Sequence, residues 1–141
     1  MTCLSAARSR LQAAGDLSSI LDAAYVAFEN MLAVIRPHQE LGSVAFVPFM
    51  MASMCAANSR DAILFAPSMP PRPLAAPSAM GECHPEEVPA VARELVDLCQ
   101  LLEAKLTGAT NGGSEPRDRS ACLDAAAQAR ELRSYISGCV P

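Results

Sequence analysis

Residues 16–36, DLSSILDAAYVAFENMLAVIR, decide the fold. Asp16 is a good helix N-cap, because its carboxylate can accept from backbone N–H groups that the first turn leaves without partners. Apolar residues then recur at Leu17, Ile20, Leu21, Ala24, Phe28, Met31, Leu32 and Ile35. Steps of three, four and seven trace one face of a helix. Pro37 ends it, since the residue before a proline is pushed out of the helical region. The spacing therefore predicts a long amphipathic helix over 17–35, and the chain on either side can be read against it.

Upstream, Cys3, Leu4, Ala7, Leu11 and Ala14 fit a short helix that stops at Gly15, glycine being common just past a helix end. Downstream, a connector over 37–42 leads into the most apolar run, VAFVPFMMASMCAA at 44–57, which carries no charge. A membrane span needs about 20 such residues, and this run is shorter and contains Pro48. It reads instead as a core helix, with Ser43 as cap and Pro48 in or near the first turn. The helix either continues through Arg60 and Asp61 to Phe65 or restarts with Ser59 as cap, and Pro67 ends it in both cases.

Six prolines punctuate residues 67–85, which read as a stiff linker. The second half opens on His84-Pro85-Glu86-Glu87, a helix-start pattern that Pro89 can shift a few residues along. Val88, Val91, Leu95, Leu98, Leu102 and Leu106 then form a heptad-like seam that Gly108 closes. A turn-rich loop at 108–117 precedes a last helix over about 118–137. Its narrow face, Cys122, Ala125, Ala129, Leu132 and Ile136, is small enough for another helix to approach closely. No useful strand alternation occurs. The expected fold class is all-α: a helical region over 1–66, a Pro-rich linker over 67–85, and an antiparallel helical hairpin over 86–141, able to pack as one bundle.

Composition narrows the function classes. The chain of 141 residues is 51% apolar but only 4% aromatic, so its core must come from Leu, Val, Ile, Ala and Met. Residues 1–80 carry five basic and five acidic groups, and residues 81–141 six basic and ten acidic, which accounts for the net charge of −4. Without a Lys/Arg cluster, nucleic-acid binding is not expected. The six cysteines form no CxxC pair and Arg8 and Arg10 interrupt any secretory apolar segment. Reduced thiols and a cytoplasmic location are expected.

Chemistry-bearing residues are sparse. His38 and His84 both lie in connectors, and neighbours such as Cys83 and His84 diverge on an extended chain rather than converge. No phosphate-binding glycine motif, metal-ligand set or cofactor motif appears, so no catalytic residue, metal or cofactor is assigned. The one oddity is Arg60-Asp61, the sole charges between Glu40 and Arg72. They read either as a polar anchor in an apolar pocket with Phe46, Phe49, Met50, Met54 and Phe65, or as a solvent-facing helix edge. The expectation is a non-enzymatic interaction, scaffold or regulatory protein working through apolar helix faces, with a protein partner or a homo-oligomer and no membrane span. Leu101, flanking the Leu98 seam, is a candidate partner contact. The alternative is a regulatory module binding an apolar small molecule through residues 44–65.

Overall fold

The structure, a computed structural model, describes residues 3–39, 42, 44–71, 87–111 and 115–140. Among them are five α-helices and no strand: α1 (Cys3–Ala13), α2 (Leu17–Ile35), α3 (Phe46–Leu64), α4 (Val88–Gly108) and α5 (Pro116–Ser137). The protein is an all-α helical bundle, and the buried apolar residues of all five helices form one contiguous core.

α2 is built as its spacing requires. The Ser19 amide donates to the Asp16 carboxylate at 3.1 Å. Ile20, Leu21, Ala24, Phe28, Met31 and Ile35 are buried. Pro37 does not break the chain sharply. It sits in a 3-10 turn, Arg36–His38, that tightens the end of the helix. Together, Leu17–His38 is long and apolar enough to cross a membrane by length and composition alone, but half of its most apolar window is buried inside the bundle.

The connector to α3 is fastened to α3 itself. The Gln39 side-chain amide donates to the Phe49 carbonyl and, at 2.7 Å, to Ser53 Oγ. Gly42 has φ +90°, a left-handed conformation that a residue with a Cβ adopts only at a cost. Of the two readings of 44–65, the continuous helix is the one found: α3 runs unbroken through Arg60 and Asp61. Its N-cap position is Ala45, which supplies no side-chain cap, and the expected cap Ser43 lies outside the described residues. Pro48 falls in the first turn, where its missing N–H is not needed.

α4 starts at Val88, with Glu87 at the N-cap and Pro89 in the first turn, so the start lies a few residues beyond His84-Pro85. α5 starts at Pro116, two residues before the expected Asp118, because proline is preorganised for the first helical position. Most of the proposed linker and the 112–114 part of the proposed loop lie outside the described residues. The beginning of that linker is a turn held against the bundle. Ser68 N and Oγ donate to the two Asp118 oxygens at 2.9 and 2.6 Å, and Ser18 Oγ donates to the Ser68 carbonyl.

The cross-helix contacts fix the topology. Gln39, Glu29 and Ser18 meet Ser53, Arg60 and Ser68 in reverse order, so α2 and α3 are antiparallel. Cys55, Ser59 and Ser68 meet Glu131, Ala125 and Asp118, so α3 and α5 are antiparallel too. α4 and α5 form the expected antiparallel hairpin. With α1 packed on both α2 and α4, the helices close a ring in the order α1, α2, α3, α5, α4.

Five helices in a ring cannot all alternate, and the parallel pair is α1 and α4. Parallel helices place two C-termini, both carrying partial negative charge, side by side. Lys105, the single lysine of the chain, answers this geometry. From the last turn of α4 its ammonium donates to the carbonyls of Gln12, at 3.2 Å, and Ala14, at 2.8 Å, at the end of α1.

Candidate functional site

α3 is the helix on which a site can be built, because its sequence is apolar on more sides than the fold can cover. Its inner face, Phe49, Ala52, Cys55, Ala56, Ser59 and Ile63, is buried. The small residues there allow close approach to Ala125 of α5, whose carbonyl accepts a 3.5 Å hydrogen bond from Ser59 Oγ. The outer face is different. Val44 is 98% exposed, Val47 59%, Met54 54% and Phe65 81%, with Met50 and Leu64 also open to solvent. Val44 lies in the turn just before α3; at about 100° per residue Val47, Met50, Met54, Leu64 and Phe65 share one side of the helix, with Asn58 and Asp61 between them.

The residues singled out from sequence are divided by this geometry. Met50 and Met54 lie on the outer face and Phe46 is half-buried. Phe49 is fully buried, its ring edge-on to His38 at a centroid distance of 5.4 Å. Phe49 and Met54 are five residues apart, about 140° around the helix, and cannot line one pocket. Arg60 is a strut between helices. Its Nη1 donates to Glu29 of α2 at 3.1 Å and its Nε to Asp61 at 3.2 Å. Asp61 is more than half exposed, so the pair forms a helix edge. Leu101 is half-buried and packs against the core. Val44 and Val47 were not singled out, although the charge-free run at 44–57 carried the signal, since a helix covered on one side only must leave part of such a run in water; Leu64 lies beyond that run.

Elsewhere, the polar side chains mostly satisfy one another. Glu103, only 15% exposed, accepts from Arg133 Nε at 2.7 Å and Nη2 at 3.0 Å, and from Arg130 Nε at 3.3 Å. Its hydrogen bonds with Arg133 hold the carboxyl below its ordinary pKa. Beside this cluster is an open groove lined by Gln100, Thr107 and Asn111. Cys55, Cys99 and Cys122 are buried free thiols. Burial raises all three pKa values, that of Cys122 to about 11, so they pack as small hydrophobes and are poor nucleophiles. Among the described residues, no group of three His, Cys, Asp or Glu side chains is placed to hold a metal ion. Cys83 and His84 lie outside the described residues.

The fold is an all-α bundle in which, among the described residues, most of the exposed large apolar side chains lie on or at the ends of α3. No family model, curated protein or solved structure matches the chain.

Proposed function

We propose that this is a non-enzymatic interaction protein that engages a protein partner through the outer face of α3. One observation carries the reading: Val47, Met54 and Phe65 are each more than half exposed along one side of α3, and Val44 is exposed in the turn before it. Singly scattered exposed apolar residues need no explanation, but several gathered on one side of one helix point to an interaction surface. The two methionines suit such a role, because their unbranched, polarizable side chains adapt to a facing surface. The rest of the molecule supplies a rigid mount, with Arg60 tying α3 to α2 and Ser59 and Asp118 tying the α3 region to α5. The buried, unbridged thiols support placing the protein in a reducing compartment such as the cytoplasm.

A photo-activatable side chain at position 54 tests this in the protein's own cells, with Thr107, exposed on another helix, as the control site. Adducts that form from position 54 and not from position 107 are expected. Equal labelling from both sites, or none from position 54, contradicts the assignment.

A further inference from the structure

The extent and shape of the exposed face indicate what covers it. Aromatic side chains bury about 150–250 Å² each and aliphatic ones somewhat less; scaled by their partial exposure, the five positions on α3 and Val44 in the turn before it together present roughly 600 Å². That is the upper end of the largest patch on a typical monomer, about 300–600 Å². Two such faces closed on each other remove roughly 1,200 Å² from water, where specific protein interfaces begin. One straight helix face is also self-complementary under a two-fold axis perpendicular to it.

We propose that the outer face of α3 docks antiparallel on the same face of a second copy of this chain. The proposal rests on the reading of that face as an interaction surface and names its occupant. A two-fold axis passing between Met54 and Asn58 lays Phe65 of one copy beside Val47 of the other, a large side chain against a smaller one. The same axis separates the two Asp61 carboxylates by roughly 15 Å along the helices, at about 1.5 Å per residue. That exceeds the screening length of about 8 Å at physiological salt, so the like charges scarcely repel. Each Asp61 also accepts from its own Arg60, which lowers the cost of approach. A membrane surface fits the face less well. Asp61 lies within the stripe, the exposed Glu131 of α5 reaches Cys55 of α3, and the neighbouring Arg60 is committed to Glu29, whereas anionic lipid calls for free Lys or Arg at the edge.

Size-exclusion chromatography with light scattering, from about 1 to about 200 μM, spans the micromolar affinity expected of an interface this small. The wild type should move from 14.8 kDa towards twice that mass as concentration rises. Met54→Glu and Phe65→Glu should each stay monomeric throughout, with wild-type helical content. A wild type that remains monomeric at the highest concentration overturns the pairing, and so does a dimer that survives both substitutions. Cross-linking from position 54 separates this failure from that of the broader reading. Adducts with a different polypeptide and none with itself overturn self-docking but leave the face an interaction surface. No adduct of either kind removes both.

Discussion

Glu103 shows how much a single carboxylate can organise here. It is the most buried member of its ion-pair cluster and takes hydrogen bonds from two arginines of α5. Its carboxyl is held below the ordinary value of about 4.3, first by the Arg133 hydrogen bonds. A carboxyl with a depressed folded-state pKa contributes stability above its unfolded pKa and loses it as pH falls through the folded value. Glu103→Gln should therefore be less stable than wild type near pH 7, by about 1 kcal/mol, since Arg130 is largely exposed and Arg133 about a third exposed. The gap should close as pH falls below the ordinary carboxyl value of about 4.3 and through the lower folded-state one. Urea titrations across that range measure it, and a gap independent of pH would assign the loss to packing. Asp118 was harder to anticipate. In the sequence it looks like an ordinary first-turn acid, yet it is buried because Ser68, 50 residues away, occupies both its oxygens.

At the scale of helices, the sequence was legible wherever one periodicity ran long enough. α2, the Leu98 seam and the small face of α5 all followed from spacing, and Leu98 and Leu102 are core residues. Pairing was less legible. The seam of α4 does pack on α5, but the most extensive neighbour of α5 is α3. Nothing local distinguishes a small face that receives a leucine seam from one that receives another small face. Ser59, on the small-residue face of α3, meeting Ala125 decides it, because small side chains on both helices let the backbones approach. That closeness is testable. Ala125→Leu inserts a bulky side chain at a fully buried position and should destabilise by about 1–3 kcal/mol through overpacking. Leu98→Ala should cost about 2–5 kcal/mol through the cavity it leaves. If Ala125→Leu proves neutral by chemical denaturation, α3 and α5 are not in close contact at that level. α3 was also ambiguous at its ends, since Ser59 reads equally as a cap and as an interior residue. Its hydroxyl is in fact buried against α5, which is why the helix passes through it.

For the molecule as a whole, an odd ring of helices has one parallel pair, and Lys105 stands where the two helix ends meet. The ring encloses a core of aliphatic and small side chains, with Phe28 and Phe49 its largest fully buried members. α3 is therefore asked to do two things, to complete that core from within and to present an apolar surface outside. Chemical denaturation of Phe49→Ala and Met54→Ala, at a protein concentration low enough to keep the chain monomeric, compares its two faces within one helix. Phe49→Ala should cost about 3–5 kcal/mol as a core truncation. Met54→Ala should fall within about 0.5 kcal/mol of wild type, as an exposed substitution does. Comparable losses from both would mean that the outer face is already covered within the monomer, and no surface would remain on α3 to receive a partner.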